Sequence, residues 1–292
     1  MVFPTQTTAP AATPTDSWTN RYLALLGVPG GAPSLDQLTA LVRSQVLTVP
    51  FENITALLRR RAHPNGPVPQ PDPASLLSSW ETRSGGGLCF EVAMMFERLL
   101  SALGYRACLM AGQISLPFGH QAIVVELGGA RYLVDVGNGA PIFAPQRLDR
   151  GPTHVHHAGL SYRFRPADEP ETLYQDRMID GAWTRYCRYT LEPAAAADLD
   201  EGYQRHHTPN ASWVTGSLTI VRSAEDTVYS LKDATLTRHT AAGKSTETLT
   251  DEASYRTIAS EVFALPGLRI ADARAVRAAF AQLVGSGDIT PR

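Results

Sequence analysis

Cysteine is scarce in this chain: three among 292 residues, at positions 89, 108 and 187, with no CxxC pair. An odd, sparse set makes no disulfide framework and carries no zinc signature, so no metal is expected and a reducing cytoplasm is the simplest setting. A dominant charge is lacking too. With 26 basic and 28 acidic residues the net charge is −2, which leaves no basic footprint for nucleic acid. No apolar run approaches the ~20 residues of a membrane span, and the richest helical segment, Phe90 to Leu103, is interrupted by Glu91, Glu97 and Arg98. The opening MVFPTQTTAPAATPTDSW has neither the basic n-region nor the apolar core of a secretory signal, and is expected to be a flexible lead-in over residues 1–16. What is present is an ordinary globular balance, 43% apolar and 18% charged, in a chain long enough for two or three packed units.

Residues 17–105 read as helical. SWTNRYLALLG carries a start signal and stops at Gly27, and SLDQLTALVRSQVLTV repeats apolar residues at helical spacing behind Ser34, an N-cap candidate. VPFENI and a Pro/Gly/Asn-rich connection follow. A third helix is predicted near Ala74 to Thr82, and a fourth from Cys89, with Phe96, Leu99, Leu100 and Leu103 forming a buried stripe closed by Gly104. From Arg106 the period changes to that of strands: ACLMAGQISL, HQAIVVEL, ARYLVDVG, LSYRFR, TLYQDRM and WTRYCRYTL fill residues 106–194. Residues 195–292 begin with a joining helix in EPAAAADLDEGYQRHH. Strand-like WVTGSLTIVRS, TVYSLKDATLTRHT and GKSTETLT follow, and then two helices. Helices, then strands, then strands with helices argue an α+β fold in three parts.

The stretch SGGGLCFEVAMMFERL carries the first chemical signal. A glycine run lets backbone approach closely and leaves N–H groups free, and a cysteine in the first helical turn feels unpaired amides and the positive end of the helix dipole. Both favour thiolate, as a cysteine nucleophile requires. The plainer reading of Cys89 is a small buried hydrophobe at a helix start. Cys108 and Cys187 lie in strand-like runs without glycine support and read as structural. A nucleophile needs a base and an orienter. Gly128-Gly129 is a hairpin signal, and a turn centred there pairs residues whose numbers sum to 257. Asp135 then faces Ala122. His120 points to the same side as Ala122, so Asp135 and His120 become diagonal neighbours within hydrogen-bond reach. Taken singly, His120 also reads as a turn histidine and Asp135 as an acceptor of backbone bonds.

These residues carry a likeness. The chain resembles the arylamine N-acetyltransferases in Gly86-Gly87-Leu88-Cys89-Phe90-Glu91, in His120 at the head of a strand, and in Tyr132-Leu133-Val134-Asp135-Val136-Gly137. Val49-Pro50-Phe51-Glu52-Asn53 and His206-His207-Thr208-Pro209 extend it, and the motifs run in order from about Trp18 to Leu283. The resemblance implies an N-terminal helical bundle carrying the cysteine (17–105), a central antiparallel β-barrel carrying His and Asp (106–194), and an interdomain helix with an α/β lid (195–292). It implies a catalytic triad of Cys89, His120 and Asp135, with Phe51, Leu88, Gly137, Asn138, Gly139, Thr208 and Trp213 around the substrate. There are departures from the family pattern. Gly85 stands where the family has Arg, Leu88 where it has an aromatic, Ala93 where it often has Asn, and Asn138 where it has a ring. Ala211 and Trp213 replace the usual small residue and Phe, and the link into His120 is short.

The implied activity is ping-pong acyl transfer from a thioester, acetyl-CoA or another, through a cysteine acyl-enzyme to an amine, with no bound cofactor. The altered pocket residues favour a specialised relative such as an ansamycin amide synthase, for which a larger or carrier-bound acyl donor, and so an acyl carrier protein, would be a partner. Two other classes compete: a cysteine amidase or thioesterase, in which water is the acceptor, and a non-enzymatic binding protein on the same scaffold.

Overall fold

The computed structural model describes residues 18–209 and 211–285; the lead-in expected over residues 1–16 lies outside them. The first helices are α1 (Trp18–Leu26) and α2 (Leu35–Thr48), the latter capped by Ser34, whose hydroxyl accepts the Gln37 N–H. The chain then makes a two-residue strand, β1 (Phe51–Glu52), and a helix, α3 (Ile54–Ala62). That helix was not predicted. Its buried face consists of Ile54, Ala56, Leu57 and Arg60, and the run Arg59-Arg60-Arg61 masks the apolar stripe in the sequence. Helix α4 (Pro73–Glu81) has Asp72 as its cap and proline in its first turn, and α5 (Cys89–Ala102) begins at the cysteine as expected.

The barrel strands are β2 (Arg106–Ile114), β3 (Leu116–Leu127), β4 (Ala130–Val134), β5 (Gln146–Arg147), β6 (Thr153–His157), β7 (Leu160–Pro166), β8 (Thr172–Ile179) and β9 (Ala182–Pro193). They form one antiparallel sheet in the order β5-β4-β3-β2-β9-β8-β7-β6, curled into a nearly closed barrel. A hydrogen bond of 2.9 Å from Thr153 to Gln146 links its two edge strands. Strand β3 is buried on both faces. Ile123 and Val125 pack into the core of α1, α2, α4 and α5, while Ala122 and Val124 face the barrel interior with Met110, Leu133 and Tyr189. The β3–β4 register is the expected one: Leu127 pairs Ala130 and Ile123 pairs Val134. Gly128 and Gly129 both have positive φ, 58° and 76°, the conformation a tight hairpin turn demands.

Helix α6 (Ala196–His207) leads to a single turn, α7 (Trp213–Gly216). A strand was expected there, but the Ser212 hydroxyl accepts the Val214 N–H and holds one helical turn, so pairing starts only at β10 (Thr219–Ser223). Strands β11 (Thr227–Lys232), β12 (Thr235–Thr240) and β13 (Gly243–Thr248) complete a second sheet, in which β1 lies beside β10. Helices α8 (Glu252–Glu261) and α9 (Ile270–Gly285) pack on it. Ile54 and Leu57 of α3 share this core with Ile220, Leu231 and Phe263, so the segment after α2 is built into the C-terminal sheet.

Candidate active site

The glycine run owes its composition to crowding. A Cβ on Gly86 would lie 2.0 Å from the Pro50 carbonyl oxygen, and the Gly87 carbonyl accepts the Glu52 N–H at 3.1 Å. The loop amides are not all free, as the sequence had suggested. Gly86 N–H donates to Glu52 Oε1 at 3.1 Å, and Leu88 N–H to Glu91 Oε2 at 2.8 Å. Glu91 is fully buried and pairs with Arg59 of α3; burial pushes its carboxyl up, and Arg59 opposes that. This frame delivers Cys89, buried, at the first position of α5, where the first-turn amides have no intrahelical partner.

His120 lies on β3 opposite Gly112, with its side chain buried. Its Nε2 is 2.8 Å from Asp135 Oδ2, and Cys89 lies close enough to the ring to act on its charge. With Nε2 committed to the carboxylate, Nδ1 is the nitrogen left for sulfur. Burial works against charge on this imidazole, but Asp135 and then Cys89 outweigh it and lift its pKa from 6.5 to about 10. The arrangement therefore favours an imidazolium beside the sulfur.

Asp135 sits one residue beyond β4, wholly buried, and is ringed by donors. Besides His120 it accepts the Tyr189 hydroxyl at 2.7 Å, the Asn138 Nδ2 at 2.8 Å and the Gly137 N–H at 3.2 Å. Tyr189 has one hydroxyl hydrogen but also meets the Gln175 amide at 2.6 Å. If the NH2 of Gln175 faces the phenol, Gln175 donates to Tyr189 and Tyr189 donates to Asp135, which also gives the otherwise unpartnered buried Nε2 of Gln175 its acceptor.

Cys89 and His120 open onto a cavity of about 170 Å³. Of the expected substrate residues, Phe51, Leu88, Gly137, Asn138 and Trp213 line it. Gly139 stands behind the wall, where a Cβ would meet Val221 at 2.9 Å, and Thr208 closes α6, donating to the Gln204 carbonyl. The sequence did not single out Ile114, Gly119, Tyr186, His206, Val214, Thr219 or Val221, which complete the lining. His206 carried a signal, since it lies in the quoted His206-His207-Thr208-Pro209 motif. Its Nε2 donates to the Gly119 carbonyl at 2.8 Å, so Nδ1 accepts from the Ser212 hydroxyl at 3.0 Å.

The family model described as N-acetyltransferase matches residues 34–270. The arylamine N-acetyltransferase of Mycolicibacterium smegmatis is 31% identical over 75% of this chain and 81% of its own length. This chain belongs to the arylamine N-acetyltransferase family. It is an acyltransferase. The Mycobacterium marinum arylamine N-acetyltransferase solved in complex with CoA superposes with a TM-score of 0.74 at 26% identity, covering 90% of this chain and 97% of that one. The proansamycin X synthase of Amycolatopsis mediterranei is 28% identical over 62% of this chain and 70% of its own length.

Two departures from the arylamine N-acetyltransferase pattern now have physical explanations. An arginine at Gly85 would not fit, because a Cβ there lies 2.7 Å from Thr55 and 3.0 Å from Ser79. Glu52 is instead satisfied by Thr55 and Gly86, and the buried positive charge comes from Arg59 on α3. Asn138, where the family has a ring, turns its amide back to Asp135.

Proposed function

We propose that this protein transfers an acetyl group from acetyl-CoA to a single-ring arylamine through a thioester on Cys89, with His120 as proton carrier and Asp135 as its orienter. The observation that carries the reading is His120, held to Asp135 at 2.8 Å, standing with Cys89 in the wall of one cavity of about 170 Å³. A cavity of about 150 Å³ holds benzene, so this one suits an aromatic ring and a short acyl group rather than a long polyketide. Its walls are largely apolar, with Phe51 and Trp213 as tilted rings 5.8 Å apart. CoA in the M. marinum relative supports the donor class.

The thiolate of Cys89 attacks the acetyl carbonyl, and the carbonyl electron pair moves onto oxygen, where the first-turn amides of α5 are placed to receive it. The C–S bond to CoA breaks, and the CoA thiolate takes the proton from His120. The amine then attacks the Cys89 thioester and gives its proton to the now neutral His120. The C–S bond to Cys89 breaks and the thiolate–imidazolium pair is restored. Asp135 holds Nε2–H throughout, which keeps Nδ1 aimed at sulfur. The three unpaired cysteines fit a reducing compartment such as the cytoplasm.

Intact-protein mass spectrometry tests this. Incubation with acetyl-CoA should add one acetyl group at Cys89, stable in buffer and lost when an aniline is added. Cys89→Ala should show no adduct and lose nearly all turnover. An adduct retained by Cys89→Ala, or no adduct at all, would overturn the assignment. Loss of the adduct in buffer alone would make the protein a thioesterase.

A further inference from the structure

The loop after β4 leaves the sheet at the last ladder pair, Ile123–Val134, so no strand pairing fixes the direction of the Asp135 carboxylate. Tyr189 and the Gly137 N–H hold it from β9 and from the backbone, and Asn138 ties it to the rest of the loop by two bonds. Its Nδ2 donates to Asp135 Oδ2 at 2.8 Å, and its Oδ1 accepts the Ala140 N–H at 2.7 Å. Although Asn138 lines the cavity, its amide oxygen and one of its two N–H groups are engaged inside the loop. We propose that Asn138 is a positioning residue, stapling residues 135–140 so that Asp135 faces His120. The proposal rests on the acyl-transfer reading above.

Only a short side chain with a donor on one atom and an acceptor on the next can make both bonds, which is the chemistry of asparagine. The bond to Oδ2 matters because that oxygen also receives His120 Nε2. A carboxylate free to swing would offer His120 a poorer partner and leave the imidazole less well aimed at sulfur. The titratable groups around Asp135 are His120 of β3 and Tyr186, Cys187 and Tyr189 of β9, with Cys89 of α5 beyond His120. Burial holds the three β9 groups above their ordinary values, so none of them changes charge between about pH 5 and 8 and the readout is the reactivity of the Cys89 sulfur itself.

The test is the rate at which iodoacetamide alkylates Cys89, followed by mass spectrometry from about pH 5 to 8 without substrate. In Asn138→Ala the rate at neutral pH should fall about tenfold or more. Asn138→Asp keeps the acceptor for Ala140 but sets a second carboxylate against Asp135. It should fall further at neutral pH and recover in part as acid returns a proton to the pair. If Asn138 serves the turn alone, Asn138→Asp alkylates like wild type. If it is only a wall of the acceptor pocket, both variants alkylate like wild type and only KM for the amine changes. Either result overturns the proposal. Should Asn138→Ala fail to fold by circular dichroism, Asn138→Ser carries the test, since its one hydroxyl replaces one bond. An intermediate rate is expected, and a wild-type rate overturns. His120→Gln separates the two levels: if it alkylates as fast as wild type, the triad reading itself falls.

Discussion

A buried imidazole ordinarily loses its charge, and His120 runs the other way. Burial opposes its protonation, yet Asp135 and Cys89 raise its pKa from 6.5 to about 10. In the unfolded chain it returns to the ordinary value. The folded state therefore holds a proton that the unfolded state sheds, and this contribution to stability is complete below about pH 6.5 and lost as pH climbs towards about 10. Thermal melts across that window should show wild type losing stability more steeply than His120→Gln; parallel curves would show that the pair carries none of the slope. Cys89, His120 and Asp135 could be picked out in the sequence because the hairpin arithmetic depends only on a two-glycine turn and a period of two. Tyr189 and Gln175 could not, because Tyr189 reaches Asp135 from a strand 54 residues away, Gln175 acts only through Tyr189, and nothing local marks either. Asn138 was noticed as a polar residue in place of a ring, but not which way its amide points.

Helix α6 shows the same division between pattern and packing. Its extent follows from its composition, but its seat on β3 depends on Gly202, which in a sequence reads only as a weak helix former. A Cβ at Gly202 would lie 2.1 Å from the Phe118 carbonyl oxygen and 3.0 Å from the Phe90 ring. Phe118 has φ 53° and leads straight to Gly119 and His120, and the Gly119 carbonyl is held by His206 of α6. Gly202→Ala must therefore push the helix off the strand turn. The expected loss is about 1–3 kcal/mol of stability, as for overpacking in general, together with a drop in turnover as His120 moves. An unchanged urea midpoint and unchanged kcat would show that α6 yields without disturbing the turn. Helix α3 and strand β6 escaped prediction for local reasons, the one masked by its arginines and the other by its histidines, in THVHH.

At the scale of the whole molecule, the cavity draws walls from every part of the chain: Phe51 from β1, Cys89 from α5, His120 from β3, His206 from α6, Trp213 from α7 and Val221 from β10. Its shape therefore depends on what fixes the C-terminal sheet to the rest, and Asn53 is a buried polar link. Its Nδ2 donates to the Val214 and Ser217 carbonyls, each at 2.6 Å, and its Oδ1 accepts the Thr219 N–H at 2.8 Å. The side chain is fully buried and sits between β1 and α3, directly after Phe51 and Glu52. Replacing it with alanine would leave three backbone groups without this partner, each costing about 1–3 kcal/mol if it stays buried and unpaired. Asn53→Ala should lower the melting temperature by several degrees and raise KM for the amine more than it lowers the rate of Cys89 acetylation, because Val214 and Trp213 lie on the freed turn while the bonds that hold His120 and Asp135 come from β3, β9 and the loop after β4. Asn53→Asp should be worse than alanine, since a carboxylate accepts from Thr219 but faces two carbonyl oxygens with no hydrogen to offer. Equal KM values in wild type and both variants would mean that the turn carrying Trp213 is held by its own core contacts, and that Asn53 serves folding without shaping the acceptor wall.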